Sequence, residues 1–262
     1  MKTRIFFTLL LSLIGVEVTN ATNLKSVDDK ITKEYKLKDF NGIEASGIGN
    51  IQYTQGKEFQ VKVEGDYRLI ERLEVSVKDS KLIIKYKRIS GNIGNVKAPV
   101  FHITSPQLTG IDLSGATQFQ ADVIQSDKFD IDTSGATTIR IGTLKCKRAD
   151  VEASGATKIY GKIVAENVGV DCSGATQGEV EIEADKFDLD ASGATSMTYV
   201  FKGKNIDIEQ SGAGTIDLTV DCQWLRAENS GVAKLNISGA ADDVKIEGSG
   251  VSKINTSNLN KF

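Results

Sequence analysis

A Ser-Gly pair returns along this chain at almost constant spacing, and nothing else in the sequence restricts its fold as tightly. The pairs begin at Ser114, Ser134, Ser154, Ser173, Ser192, Ser211, Ser230 and Ser249, at intervals of 20, 20, 19, 19, 19, 19 and 19 residues. The five from Ser114 to Ser192 continue as Ser-Gly-Ala-Thr, and the later ones drift to Ser-Gly-Ala-Gly or Ser-Gly-Val. Three residues before each Ser stands Ile111, Ile131, Val151, Val170, Leu189, Ile208, Ala227 or Ile246, an unbroken apolar column. Five residues after each stands Phe119, Ile139, Ile159, Gly178, Met197, Ile216, Leu235 or Ile254, apolar but for the glycine. Both columns are expected to face inward.

Around these columns apolar and polar residues alternate, as in Phe129-Asp130-Ile131-Asp132 and Phe187-Asp188-Leu189-Asp190, which is the period of a strand and not of a helix. One such unit cannot bury its apolar side alone, whereas stacked copies give every strand a like neighbour above and below. The expected fold is therefore all-β: a right-handed parallel β-solenoid (β-helix) of ~19-residue coils, with an N-terminal β-rich cap or lobe. Each coil should advance about 4.8 Å, so the stack from Ser114 to Ser249 spans about 34 Å. Glycine suits a corner that needs positive φ or close backbone approach. The Ala after it is expected to fit a narrow interior, and the Ser and Thr to form hydrogen-bonded ladders between coils.

The segment before the repeat is related to it, because Ile43-Glu44-Ala45-Ser46-Gly47 follows the pattern of Ile131-Asp132-Thr133-Ser134-Gly135. Ser46 thus begins an earlier, atypical coil. Strand-like segments follow at Gln60 to Glu64, Leu73 to Val77 and Leu82 to Tyr86, the last two flanking a hairpin turn at Lys78-Asp79-Ser80-Lys81. A cap here answers the exposed core and unpaired edge of an open solenoid end. At the start of the chain, Lys2 and Arg4 precede an apolar run from Ile5 to Gly15 and a small-x-small site at Thr19-Asn20-Ala21, the pattern of a secretory leader. That run is too short to cross a bilayer as a helix, and no Cys follows it to carry a lipid anchor. The organisation expected is a leader over 1–21, a lobe over 22–110 and the regular solenoid over 111–262. The chain is expected to be exported to the periplasm, the cell surface or the medium, with no membrane span once the leader is removed.

The segment Gly47-Ile48-Gly49-Asn50-Ile51-Gln52-Tyr53-Thr54-Gln55-Gly56, the hairpin around Leu82-Ile83-Ile84, Thr104-Ser105-Pro106-Gln107-Leu108 and the Ser-Gly-Ala series together resemble the putative auto-transporter adhesin head GIN domain family, over roughly residues 32 to 255. The resemblance implies a β-solenoid and an adhesin-like role, and it brings no catalytic residues with it.

Two residues before each repeat Ser is an acid: Asp112, Asp132, Glu152, Asp171, Asp190, Glu209, Glu228 and Glu247, with Glu44 in the earlier coil. The residue just before each faces inward, so this column faces solvent, flanked by Asp130, Asp150, Asp188 and Asp207. Carboxylates about 5 Å apart repel by roughly 0.8 kcal/mol per pair in a water-like dielectric. The first reading of the column is a solvated face that blocks edge pairing; the second is a face for a partner or for diffuse cation binding. A specific calcium site needs 6–8 converging oxygens, which a flat ladder does not supply, and no metal or other cofactor is expected.

The Thr column at Thr117, Thr137, Thr157, Thr176 and Thr195 reads as a stacking ladder before it reads as an array for a repetitive ligand. Trp224 falls where other repeats have Lys128 or Lys186, an outward position from which an indole can stack on a sugar or pack on a loop. Cys146 and Cys222 lie in one register four coils apart, about 19 Å by strand spacing, beyond the reach of a disulfide. All three Cys are expected to be free thiols filling small apolar spaces. His102, the sole histidine, has no nucleophile elbow or metal-ligand cluster around it and reads as a strand residue.

A net charge of -3, with Lys and Arg interleaved among Asp and Glu, offers no basic patch for nucleic acid. The expected function is an exported, non-catalytic, adhesin-like binding or structural module, its partner a glycan or a surface or matrix protein. The alternatives are a polysaccharide-active β-helix enzyme, which would need long insertions that even coils lack, and a structural protein assembling end to end. The candidate binding residues are Asp132, Glu152, Asp171, Asp190, Glu209 and Glu228, with Trp224 beside them.

Overall fold

The computed structural model describes residues 30–87 and 96–261. The predicted leader lies outside them. The described strands join in one 16-stranded sheet, and its regular part is a parallel β-solenoid of about 8 coils of roughly 19 residues. The register is that of the repeat. On the first face of the coil, Ile131 pairs with Val151, Val151 with Val170, Val170 with Leu189, Leu189 with Ile208 and Ile208 with Ala227. On the second, Phe119 pairs with Ile139, Ile139 with Ile159, Gly178 with Met197 and Met197 with Ile216. Both columns are buried through the body of the stack, as the alternation requires.

The corner between the faces departs from expectation in one respect. Ala116, Ala136, Ala156, Ala175 and Ala194 are exposed, while Thr117, Thr137, Thr157, Thr176 and Thr195 are buried. Strand parity explains the exchange: the Thr stands two residues before the inward apolar position and shares its side, which turns the Ala out. The hydrogen-bonded ladder forms only in part: Thr117 donates to the Ser114 carbonyl of its own coil, the Thr176 and Thr195 hydroxyls are buried without a hydrogen-bond partner among the described residues, and the bonds between coils centre on Thr157. The Thr137 hydroxyl donates to Thr157 Oγ1 at 3.2 Å, and Thr133 and Thr157 share a hydrogen bond of 3.0 Å. Glycine is required at the corner for two reasons. Gly135 has φ +85°, a region that side chains with a Cβ avoid, and a Cβ on Gly174 would stand 2.1 Å from the carbonyl oxygen of Gly155 on the coil before.

Past Thr195 the buried hydroxyls give way to Gly214 and Ala233, and there the residue before the corner Ser changes from Ala153, Cys172 and Ala191 to Gln210 and Asn229. The longer amide side chains fill what the Thr vacates, and Asn229 Nδ2 donates to the Ala233 carbonyl at 3.3 Å. The change from 20-residue to 19-residue coils is absorbed on the second face, where a register shift falls between Gly161 and Ile163.

The three cysteines are free. Cys172 sits buried between Ala153 and Ala191. Cys222 occupies the column of Ala165, Ala184 and Gly203, and Cys146 stands at the same repeat position, eight residues before its corner Ser. Burial pushes both the Cys146 and Cys222 thiols up to about 11, which leaves them unreactive fillers.

At the N-terminal end, Gly42–Gln55 forms the atypical coil and pairs Ser46 with Ser114. Lys81–Tyr86 and Val100–Ser105 still pair with it in parallel, and beyond them the pairing turns antiparallel. Leu73–Lys78 and Lys81–Tyr86 make the expected hairpin, with Asp79 and Ser80 both at positive φ in its turn, as a two-residue hairpin turn requires. On the other face Val100–Ser105, Gln60–Asp66 and Lys30–Glu34 follow in order. A one-turn helix, Tyr67–Ile70, places Leu69 and Ile70 in the end of the core. His102 is a half-buried strand residue between Gln52 and Lys62.

Candidate binding face

Each strand of the first face presents three outward positions, at six, four and two residues before the corner Ser. Stacking turns each position into a column. The column nearest the corner runs Glu44, Asp112, Asp132, Glu152, Asp171, Asp190, Glu209, Glu228 and Glu247, every rung paired in register with the next. The middle column holds Asp130, Asp150, Gly169, Asp188, Asp207, Arg226 and Lys245, and the outer one Lys128, Arg148, Asn167, Lys186, Asn205, Trp224 and Asp243.

Cations of the outer column neutralise acids of the middle one. Arg148 holds Asp150 through two hydrogen bonds of 2.7 and 2.8 Å, Lys128 lies 2.9 Å from Asp130, and Lys186 lies 2.6 Å from Asp188. The Arg148 guanidinium holds the Asp150 carboxyl below its ordinary value. Among the described residues, no ion pair reaches Asp132, Glu152, Asp171 or Asp190 in the corner column. Desolvation, then the neighbouring Asp171 and Glu209, raises the Asp190 pKa, and desolvation with Asp132 and Glu44 raises that of Asp112. Further along, the middle column itself turns cationic. Arg226 reaches Asp207 at 2.8 Å and Glu209 at 3.0 Å and also pairs with Glu228, while Lys245 lies 2.9 Å from Glu247.

The corner column is not flat. Beside it the chain bends into the Ser-Gly corner, and Asp171, Asp190, Glu209, Glu228 and Glu247 form one wall of a trough whose other wall is Ser173, Ser192, Ser211, Ser230 and Ser249. It encloses about 600 Å³. Carboxylate and hydroxyl oxygens therefore repeat together along it at about 4.8 Å. The sequence reading named the acids and passed over the serines. Both are outward by parity, since a single residue separates each acid from its Ser, buried at Cys172, Ala191, Gln210 and Asn229, and that was the available signal. Of the candidates, Asp171, Asp190, Glu209 and Glu228 line this trough. Asp132 and Glu152 continue the column into a neighbouring depression of about 520 Å³ with Asp130, Arg148 and Asp150. Trp224 is on the same face but half-buried, two outward positions from Glu228, and is not among the residues lining the trough.

No curated protein matches the chain. Among solved structures, a putative adhesin from Bacteroides fragilis superposes with a TM-score of 0.69 at 24% identity, covering 88% of this chain and 98% of its own. A protein from Parabacteroides distasonis titled a putative lipid binding protein gives 0.61 at 21% identity, over 90% of this chain and 97% of its own. A putative adhesin from the same species gives 0.57 at 19%, over 86% and 96%. At these identities the likeness is one of fold. The family described as "Putative auto-transporter adhesin, head GIN domain" matches residues 39–198 and 186–261, and with the repeat accounted for coil by coil, the chain belongs to that family.

Proposed function

We propose that this chain is an exported, non-catalytic, adhesin-like module that binds its partner along the repetitive first face, chiefly in the trough between the acidic column and the serine column. The observation carrying this reading is the trough itself, about 600 Å³ and lined coil after coil by the same carboxylate and hydroxyl groups. Repetition suits many weak, equivalent contacts, whose sum is large when the partner repeats too. A glycan with amino or hydroxyl groups, or a basic segment of a surface or matrix protein, has the matching chemistry, and salt should weaken the contact.

An apolar ligand, in keeping with the neighbour titled a lipid binding protein, is less well served. The apolar cavity bounded by Ile139, Leu144, Ile163 and Met197 encloses about 30 Å³, against the several hundred Å³ of ordinary ligand pockets.

The test is a glycan and matrix-protein binding screen, repeated with Asp171→Asn, Asp190→Asn, Glu209→Gln and Glu228→Gln combined. Single changes should leave most of the binding, and the quadruple change should abolish it while the melting temperature holds. Full binding by the quadruple variant would move the site off the trough.

A further inference from the structure

The two ends of the solenoid are finished differently. At the N-terminal end the sheet continues into antiparallel strands, and Leu69 and Ile70 close the core. At the C-terminal end the last coil is complete only on the second face, where Lys253–Lys261 pairs with Lys234 to Ala241. On the first face, the stretch Asp243 to Gly248 pairs with Trp224 to Asn229 on one side, and among the described residues no strand lies on the other. Its inward residues show the consequence. Val244 and Ile246 are half-exposed, whereas Leu225 and Ala227, one coil earlier in the same columns, are buried.

Parity fixes which backbone groups this edge offers. The Ser249 N–H donates to the Asn229 carbonyl of the preceding coil at 2.9 Å. In a parallel ladder, alternate residues direct both N–H and C=O to the same side. Residues 243, 245 and 247 therefore face the preceding coil, and Val244, Ile246 and Gly248 turn their backbone donors and acceptors to the open edge.

We infer that this edge pairs with the same edge of a second copy, antiparallel about a two-fold axis at Ile246, making a tail-to-tail dimer. In that register Ile246 faces Ile246 of the other copy across a hydrogen-bonded pair, and Val244 faces Gly248. All the open backbone groups of the stretch are then used. The outward residues fall into place with them, Lys245 opposite Glu247 and Glu247 opposite Lys245. Opposite charges meet twice, and the half-exposed Ile246 is covered. An axis one residue away still pairs the open backbone groups but sets like charges together, Lys245 against Lys245 and Asp243 against Glu247 when centred on Lys245, or Glu247 against Glu247 when centred there. A register two residues away, centred on Val244, would set Ile246 against Asp242. The contact is isologous, each copy using the same edge, and so closes at two copies.

The test is the mass in solution of the purified chain as a function of concentration, by sedimentation or light scattering. Twice the chain mass, falling to the monomer on dilution, is expected. Lys245→Glu alone and Glu247→Lys alone should each shift the protein to monomer without lowering the melting temperature appreciably, and the double reversal should restore the dimer. Ile246→Lys should abolish it. A monomer at every concentration would overturn the inference, as would a dimer indifferent to both single reversals or a polymer that lengthens with concentration. The quadruple trough variant described above should dimerise normally, so failure of the binding proposal and failure of this one are told apart.

Discussion

Leu189 and Asp190 are adjacent in the chain, and each is stacked between like residues, Val170 and Ile208 for one, Asp171 and Glu209 for the other. Inside, repetition adds apolar contact at every rung. Outside, it adds repulsion at every rung. In-register stacking multiplies whatever occupies a position, so the two columns of one strand lie at opposite ends of the energy scale. The outer columns answer the repulsion in two ways: around Asp130, Asp150 and Asp188 a neighbouring cation satisfies the middle column and leaves the corner acids free, while around Glu209 and Glu228 a single Arg226 binds the acids directly.

Three substitutions bear on this contrast. Leu189→Asp puts an unpaired charge between stacked coils and should cost more than about 4 kcal/mol, read as a lost or much earlier urea transition; a cost as small as that of an outward substitution would invert the inside and outside assignment. Arg226→Gln releases Asp207, Glu209 and Glu228 together and should lower the melting temperature, more at low salt than at high salt. It makes the Glu209–Glu228 stretch electrostatically like the Asp171–Asp190 stretch, and equal behaviour at both salts would deny that difference.

Asp190→Asn has the smallest effect, a gain of a few tenths of a kcal/mol near neutral pH, since the site is solvent-screened. Its pH dependence carries the sign. The raised Asp190 pKa means that the folded chain keeps this proton to higher pH than the unfolded chain, so the native protein loses stability as pH rises through that window. The advantage of Asp190→Asn should therefore be full above the raised pKa and fade as pH falls through it. An advantage that grows toward acid would contradict the cause assigned to the shift.

The Ser spacing made most of the fold legible, because a constant interval with two apolar columns leaves little besides stacked coils. The nine-rung acid column could be read rung by rung for the same reason. What escaped was three-dimensional at the corner. The exposed Ala and buried Thr were misassigned at the Ala, although counting back from Phe119 or Ile139 gives the Thr its inward side. The exchange of Thr for Gln210 and Asn229 is a volume relation between residues on two sides of a bend, and alternation alone does not show it. The trough needed the bend itself. The cations that sort the acids, Arg148 and Arg226, required knowing which side chains share a face across coils.

The bulge near Gly161 has one more consequence. It confines the odd residue of the longer coils to the second face and leaves the first face in unbroken register. Growth or shrinkage by whole coils, such as removal of the 19 residues from Ser173 to Ala191, would rejoin every column rung to rung and change only the number of rungs. Removal of a single residue from a first-face strand would turn the inward column outward from that point on. The molecule's length is thus quantised, and the coil, not the residue, is the unit in which the gene for such a surface can vary without unmaking it.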